Sequence, residues 1–172
     1  MQVTLRQATV DDTALLTELG ITTFTEKWKD NYDEQTLKAY LSKAYDIGTI
    51  RQELQDSTFT YLLAAIPEQV IGFTKLSRQQ QLADWIHEPC LEVCRIYVLQ
   101  QFQGFKAGAI MMDAAIAIAR QEKMESVVLG VWENNHRAIA FYKKLGFEKI
   151  GTHPFYTGDV VETDWVMRKG LT

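Results

Sequence analysis

The chain has 172 residues, of which 47% are hydrophobic and 23% charged, so it can bury the core of a domain and is not expected to be disordered. The net charge of −4 gives no electrostatic reason to expect a nucleic acid or an anionic membrane as partner. No apolar run approaches about 18 residues, and the N-terminus lacks a signal-peptide core. Cys90 and Cys94 have no second Cys or His pair that would complete a zinc site. We therefore expect no metal, reduced thiols and a cytoplasmic location.

The first half of the chain predicts a strand, three helices and a hairpin. The segment VTLRQAT alternates apolar and polar residues as a strand does, and Asp11 or Asp12 is expected to cap the helix that follows. Two further helices are predicted over residues 34–45 and 47–55. The strands FTYLLAAI and VIGFTKLSR flank a Pro-Glu-Gln turn, and the polar residues 79–89 predict a loop.

The second half alternates strands and helices. The strand LEVCRIYV precedes a helix over residues 107–121, whose sheet-facing side would carry Met111, Ala114, Ala115 and Ile118. The strand SVVLGVW precedes a helix over residues 136–145, which Gly146 would close in the left-handed conformation. FEKIGTHPF and VVETDWVMR then form an antiparallel pair. The order β-α-α-α-β-β-β-α-β-α-β-β predicts an α/β fold with a mixed sheet and helices on both faces, as a single domain over residues 1–172.

The turn before the first of these helices has the composition of an anion site. Gln103 and Gly108 bracket it directly after a strand, and the first amides of a helix offer unpaired N–H groups and partial positive charge. Small residues at such a turn let a ligand approach the backbone. These features suit the binding of a pyrophosphate. The alternative is an ordinary strand-to-helix turn with a cap glycine, which has the same composition. Lys106 is expected to adopt helical geometry, and its ammonium either attracts phosphate or lies in solvent.

A second motif follows the strand SVVLGVW, in the spacing Asn-x-x-Ala-x-x-x-Tyr-x-x-x-Gly-Phe. Its members are Asn135, Ala138, Tyr142, Gly146 and Phe147. Together with the turn, this motif resembles the acetyl-CoA site of the GNAT family of N-acetyltransferases, whose turn pattern is Gln/Arg-x-x-Gly-x-Gly/Ala. The resemblance implies the GNAT acyl-CoA N-acyltransferase fold. Lys106 departs from the family pattern because it occupies the first glycine position.

The resemblance also implies roles for individual residues. Pantetheine would lie between the parting strands LEVCRIYV and SVVLGVW, with the Val98 N–H polarising the acetyl carbonyl. Tyr142 would protonate the leaving thiolate as general acid, and Glu92 is the leading candidate for the base. The alternatives are a core tyrosine, an exposed strand glutamate and, for Asn135, a helix cap. The resemblance implies that the reaction uses acetyl-CoA and no metal. The residues implied to contact acetyl-CoA are Ile96, Tyr97, Val98, Gln103, Gly104, Phe105, Lys106, Ala107, Gly108, Ala109, Asn135, Ala138, Phe141, Tyr142 and Lys144.

Along nearly its whole length the chain resembles the PaiA-type spermidine/spermine N-acetyltransferases. The resemblance rests on TF-x(4)-KD-x(7)-KAYL in the first helices, on LE-x-x-RIYV, on the LGVWE and AIAFYKK segments, and on a closing G-x-H-x-FY-x-GD with a later Thr-Asp. It implies a polyamine as acceptor, a polycation that carboxylates and aromatic faces would bind. The residues expected to do so are Trp28, Asp30, Tyr32 and Tyr156. The same segment also carries Glu26, Asp33 and Glu34, and a solvated acidic helix end is the alternative for this acidic cluster.

Other functions stay open at this point. The same fold could act on a protein N-terminus or another small amine, with the protein as a monomer or homodimer. A non-catalytic acyl-CoA-binding sensor is favoured by Lys106 and opposed by Tyr142 and Asn135. A nucleotide-binding protein of Rossmann type is the least favoured of these alternatives, because no Gly-x-Gly-x-x-Gly follows the first strand.

Overall fold

The computed structural model describes residues 1–172, and their strands and helices follow one another in the predicted order. The strands are β1 (Thr4–Gln7), β2 (Phe59–Ile66), β3 (Gln69–Ser77), β4 (Cys90–Val98), β5 (Ser126–Trp132), β6 (Glu148–Thr157) and β7 (Val160–Gly170). The helices are α1 (Thr13–Trp28), α2 (Glu34–Ala44), α3 (Ile47–Gln55), α4 (Ala107–Gln121) and α5 (His136–Lys144). Short 3-10 turns occupy Val10–Asp12 and Gln100–Phe102. No helix has the length and apolar character that crossing a bilayer requires.

The strands form one mixed sheet with the order β1-β2-β3-β4-β5-β7-β6. β4 and β5 run parallel, with Cys90 opposite Ser126 and Val93 opposite Leu129. β7 is antiparallel to both β5 and β6, and so lies between them. The predicted α/β class with a mixed sheet is confirmed.

Backbone contacts divide the chain into two compact units. The first comprises Met1–Leu76 and Arg95–Asp113, and the second Ser77–Cys94 and Ala114–Thr172. β4 and α4 each contribute residues to both units. In the first unit the largest apolar cluster joins α1 and α3 to β2 and β3, through side chains that include Leu16, Phe24, Ile50, Tyr61 and Phe73. In the second unit a smaller cluster contains Leu82, Cys90, Val128 and Val166.

Side-chain caps explain where three of the helices begin. The Asp33 carboxylate accepts the Thr36 N–H at 2.7 Å at the start of α2, and Asp46 accepts the Thr49 N–H at 2.9 Å at the start of α3. Asn135 caps α5. These starts agree with the predicted ones, because short polar residues precede each helix in the sequence.

Asp12 lies at the N-cap position of α1, as predicted, but its side chain makes no cap hydrogen bond there. Its carboxylate accepts the Thr9 N–H at 2.8 Å and two hydrogen bonds from the Arg6 guanidinium, at 2.8 and 2.7 Å. The bond from Arg6 is the main reason that the pKa of Asp12 lies below its ordinary value. Asp12 therefore ties β1 to the 3-10 turn that follows it.

The buried face of α4 differs from the predicted one. The buried residues of α4 are Ala107, Met111, Met112, Ala115, Ile116 and Ala119, whereas Ala114 and Ile118 are half-buried. On α5 the buried residues are Ile139 and Tyr142. Cys90 begins β4 and is buried, Cys94 is half-buried, and both thiols are free.

Candidate active site

The turn before α4 contains two residues in the left-handed backbone conformation. Gly104 has a φ of 105° and Lys106 a φ of 61°. The expectation that Lys106 adopts helical geometry is therefore wrong: this lysine takes the conformation that glycine adopts without penalty. A Cβ built at Gly104 meets nothing within 4 Å, and Gly104, Phe105 and Lys106 are all exposed. The turn thus presents open backbone in a conformation that can form an anion nest.

The first turn of α4 leaves its amides available to a ligand. The Lys106 carbonyl accepts the first helical bond, from the Ile110 N–H at 3.0 Å. A lysine has no acceptor with which to cap a helix, and no acidic residue lies in the first turn. The N–H groups of Ala107, Gly108 and Ala109 donate no hydrogen bond to the rest of the chain. This helix start therefore concentrates partial positive charge with nothing in the chain to neutralise it.

The second half of β4 directs alternate amides away from β3. The Leu99 N–H donates to the Ile71 carbonyl at 2.8 Å. Because backbone groups alternate along a strand, the amides of Ile96 and Val98 point to the opposite edge. The register of β4 with β5 covers Cys90–Val93, so Ile96 and Val98 lie beyond it. The Gln103 side chain contacts the Val98 carbonyl at 3.4 Å.

Gly72 on β3 permits a close approach to this part of β4. A Cβ at residue 72 would lie 2.6 Å from the Tyr97 carbonyl oxygen and 3.2 Å from the Val98 Cα. Both neighbouring atoms belong to backbone, so any side chain at residue 72 would push β4 away. The tight packing fixes the position of the edge that carries Ile96 and Val98.

The motif on α5 has a defined structure at both of its ends. At the start, the Asn135 Oδ1 accepts the Ala138 N–H at 3.3 Å, which is the cap role that the alternative interpretation gives to Asn135. Its side-chain NH₂ has no partner in the chain. Near the end, Tyr142 is buried, with its ring 5.3 Å from Phe141 and 5.9 Å from Phe147. Ala138 and Phe141 are half-buried, and Lys144 is exposed. Asn135 and Tyr142 both belong to the second unit.

Glu92 is not the exposed strand residue that the alternative interpretation predicts. Its side chain is buried, and its Oε2 accepts the Gln81 N–H at 3.0 Å. Gln81 belongs to the loop between β3 and β4, which the sequence predicted only as polar. Glu92 pairs in register with Val128 on β5. The carboxylate is therefore positioned by a backbone donor, as a functional or a structural acid would be.

The residues expected to bind the acceptor divide into aromatic and acidic ones. Trp28 packs between Phe24 and Tyr32, with both centroid distances at 6.1 Å, and Phe24 lies 6.4 Å from Tyr97 on β4. This aromatic row connects the end of α1 with the strand that carries Ile96 and Val98. Of these rings, Trp28, Tyr32 and Tyr97 are half-buried, so each keeps an accessible edge.

Two acidic residues of the same segment already have partners. The Glu26 carboxylate accepts the Gln100 N–H at 2.9 Å, and Asp33 caps α2. Asp30 is exposed and stays available. Tyr156 belongs to the second unit and is 62% exposed on β6. The acidic cluster predicted from the sequence is therefore partly structural.

The last three strands bring together a polar group that was not predicted from the sequence. Asp164 on β7 and His153 on β6 are opposite each other in register, and Gly130 on β5 lies beside both. The only sequence signal is the G-x-H segment with its later Thr-Asp. The sequence spacing of this segment does not predict that the two residues meet, because their contact depends on how β6 and β7 pair.

Comparisons with known proteins agree with this geometry. Residues 22–147 match the family model described as acetyltransferase (GNAT) family. An uncharacterized N-acetyltransferase of Lactobacillus delbrueckii subsp. lactis is 28% identical over 143 residues, which are 83% of this chain and 82% of that protein. An uncharacterized N-acetyltransferase of Mycobacterium tuberculosis is 31% identical over 118 residues, covering 69% of this chain and 71% of the relative.

Solved structures share the fold at low sequence identity. The PaiA N-acetyltransferase from Thermoplasma acidophilum, in complex with coenzyme A, superimposes with a TM-score of 0.81 at 21% identity and covers 99% of both chains. A Salmonella typhimurium protein with its cofactor acetyl-CoA gives a TM-score of 0.69 at 21% identity, over 100% of this chain and 95% of its own. The fold, the family match and the named relatives together place this chain in the acetyltransferase (GNAT) family, and it is an acyltransferase.

Proposed function

We propose that the chain transfers the acetyl group of acetyl-CoA to a primary amine, and that residues 1–172 act as one N-acetyltransferase domain. The observation that carries this proposal is the start of α4. Its amides at Ala107, Gly108 and Ala109 have no partner in the chain, and the preceding turn holds Gly104 and Lys106 in left-handed conformations. Together with Gln103 and Phe105, these residues fit a pyrophosphate, which uncapped helix amides and a nearby ammonium would bind.

The edge of β4 supports a place for the pantetheine arm. The amides of Ile96 and Val98 point away from β3 and lie beyond the register with β5. An extended ligand with amide groups can bind such an edge as an added strand would. In this proposal the Val98 N–H donates to the acetyl carbonyl oxygen. The Asn135 NH₂ group, which has no partner in the chain, would bind a pantetheine carbonyl.

Two side chains would move protons in the reaction. Acetyl-CoA supplies the acetyl group as a thioester, which the amine attacks. Tyr142 would give its hydroxyl proton to the sulfur that leaves as a thiolate. Glu92 would accept the proton of the attacking amine, directly or through water. Its burial and its bond from the Gln81 N–H support a carboxylate held in one orientation.

The acceptor that we propose is a polyamine such as spermidine or spermine. The support is the resemblance to PaiA-type enzymes and the aromatic row Trp28, Phe24 and Tyr97 with Asp30 nearby in sequence. Aromatic faces and carboxylates both stabilise alkylammonium groups. Tyr156, with its exposed ring, would contact the distal part of a long acceptor. The location that we propose is the cytoplasm, where the free thiols Cys90 and Cys94 would stay reduced.

The test is release of free thiol from acetyl-CoA in the presence of a panel of amines. The panel contains spermidine, spermine, 1-aminohexane, an amino acid and a peptide with a free N-terminus. We expect spermidine or spermine to exceed the monoamine by more than tenfold in kcat/KM, because one more ammonium bound to a carboxylate contributes about 1.5–3 kcal/mol. Equal rates with the monoamine would reject the polyamine assignment, and preference for the peptide would indicate a protein N-terminus as acceptor.

A further inference from the structure

The side-chain amide of Gln80 organises the loop between β3 and β4. Its Oε1 accepts the N–H groups of Leu82 and Ala83 at 2.8 and 3.1 Å. Its NH₂ group donates to the carbonyls of Ala83 and Ile86 at 2.7 and 3.3 Å. A side-chain amide has two N–H donors and one oxygen with two lone pairs, so these four bonds use its full capacity. All four partners are backbone groups of a segment that contains no helix or strand.

The residue after Gln80 holds the carboxylate of Glu92. The Gln81 N–H donates to the Glu92 Oε2 at 3.0 Å. Gln81 lies between Gln80 and Leu82, whose N–H is bound by the Gln80 side chain. The Gln80 side chain therefore closes a turn around Gln81 and fixes the direction of the Gln81 N–H. Glu92 is 8% exposed, and a buried carboxylate needs such a donor.

Contacts on either side of this turn anchor the loop within the second unit. The Ser77 hydroxyl donates to the Gln79 carbonyl at 2.9 Å and accepts the Gln79 N–H at 3.1 Å. Leu82 is buried in the apolar cluster of that unit. Between these two anchors, the hydrogen bonds of Gln80 set the path of the backbone and with it the position of the donor to Glu92.

Three consecutive glutamines, Gln79, Gln80 and Gln81, are equivalent in the sequence and differ in the structure. The side chains of Gln79 and Gln81 are exposed, whereas Gln80 is half-buried. Of the three, Gln80 is the one whose side-chain amide binds the backbone of the loop. Gln79 is therefore a matched control for a change of Gln80.

We propose that Gln80 is a positioning residue for acetyl transfer, which holds the Glu92 carboxylate in one orientation through the Gln81 N–H. The inference rests on the proposed function in one respect, the assignment of Glu92 as the base. A base must lie within hydrogen-bond reach of the proton that it accepts, and a misplacement of about 1 Å is costly in rate. Gln80 is not among the residues proposed to bind CoA or the acceptor. Its loss should therefore lower kcat and spare both affinities.

The first measurement is amide hydrogen exchange, which needs no substrate. It compares wild type with Gln80→Met, which has a similar length and no amide, and with the control Gln79→Met. The Gln81 N–H should lose about tenfold or more of its protection in Gln80→Met and keep it in the control, because the turn around it opens. Unchanged protection in Gln80→Met would overturn the link between Gln80 and Glu92.

The second measurement is the kinetics of thiol release from acetyl-CoA with spermidine, under conditions where chemistry limits turnover. Gln80→Met should lower kcat by about tenfold and change KM for the amine and Kd for CoA by less than about twofold. In a Glu92→Gln background the same substitution should lower the rate by less than about twofold, because both changes act on one carboxylate. Gln79→Met should behave as wild type does.

A conservative variant keeps the test valid if Gln80→Met folds poorly. The oxygen of the shorter amide in Gln80→Asn can still accept the Leu82 N–H, as in an Asx-turn. This variant should retain most of the kcat and most of the protection of the Gln81 N–H.

The possible outcomes separate the inference from the proposed function. A rate loss of equal size with and without Glu92 would show a merely structural role and overturn the inference, as would an unchanged kcat in Gln80→Met. Full activity of Glu92→Gln would also overturn it, with acetyl transfer intact. No thiol release by wild type with any amine would reject the proposed acetyl transfer, and loss of protection at Gln81 in Gln80→Met would then keep the link between Gln80 and Glu92.

Discussion

The Phe147 N–H donates a hydrogen bond to the Tyr142 carbonyl at 3.0 Å. Gly146, between them, has a φ of 90°, and its own N–H donates to the Lys143 carbonyl at 3.0 Å. This pair of bonds closes a helix in the Schellman motif. The spacing Tyr-x-x-x-Gly-Phe is therefore the structure of a helix end, which fixes the last turn of α5 and with it the Tyr142 ring against Phe147.

Replacing Tyr142 by Phe should separate catalysis from packing. The ring contacts with Phe141 and Phe147 remain, so the free energy of unfolding and the CoA affinity should change little. The single-turnover rate of acetyl transfer should fall by about 10²-fold, because a general acid is lost. An unchanged rate under conditions where chemistry limits turnover would rule out Tyr142 as the acid. A loss of stability of the same size as the loss in rate would identify it as a core residue.

Two variants of Lys106 should distinguish its charge from its backbone. Lys106→Ala removes the ammonium and keeps a Cβ at a φ of 61°, whereas Lys106→Gly removes both. A left-handed residue with a Cβ costs about 1–2 kcal/mol, and the entropy of a new glycine offsets about 0.4–1 kcal/mol. Lys106→Gly should therefore raise the free energy of unfolding by up to about 1.5 kcal/mol in urea titrations, and Lys106→Ala should not.

The same two variants also bear on CoA binding. If the Lys106 ammonium attracts phosphate, both should weaken CoA binding by about twofold to fivefold and reduce its salt dependence, as for an exposed ion pair. Wild-type affinity in Lys106→Ala would show that the side chain lies in solvent. Tighter binding in Lys106→Gly alone would show that the Cβ obstructs the turn.

Lys106 also shows what the sequence could not predict. Polar caps and hydrophobic periodicity located α3 and α4 at their observed bounds, because those signals are local. No local sequence signal predicts the left-handed φ of Lys106. Lysine favours right-handed geometry, and the closure of the turn overrides that preference. The Glu92 carboxylate is held by the Gln81 N–H, which belongs to a loop without periodicity. The meeting of Asp164 with His153 depends on a cross-strand register that no local pattern specifies.

Asp164 should lower the stability of the folded protein at neutral pH. Its folded pKa of about 6 exceeds the ordinary 3.8, so the folded state favours the protonated form. The stability that this preference contributes is complete below pH 3.8 and is lost as the pH rises through about 6. Asp164→Asn should therefore raise the free energy of unfolding at pH 7.5 by up to about 3 kcal/mol, with no gain at pH 3.5. A variant less stable than wild type at pH 7.5 would contradict the assignment of an unpaired buried carboxylate.

Two buried tyrosines of the first unit differ in whether their hydroxyl groups have a hydrogen-bond partner. The Tyr61 hydroxyl donates to the Glu53 carboxylate at 2.5 Å, and Glu53 also accepts from Lys75 at 2.6 Å. The Tyr45 hydroxyl is buried without a partner. Tyr61→Phe should lower the free energy of unfolding by about 1.5–3 kcal/mol, because a hydrogen bond to a charged group is lost. Tyr45→Phe should leave it unchanged or raise it, and equal losses in urea titrations would contradict these contacts.

The melting temperature in the presence of CoA tests the central claim most directly. We propose that CoA binds to the uncapped start of α4 and to the edge of β4. A ligand at one hundred times its Kd stabilises the folded state by about 2.7 kcal/mol. For a chain of this length that corresponds to an increase of roughly 5–10 °C. Saturating CoA should produce such an increase, and adenosine at the same concentration should not. A melting curve unmoved by millimolar CoA would contradict the account.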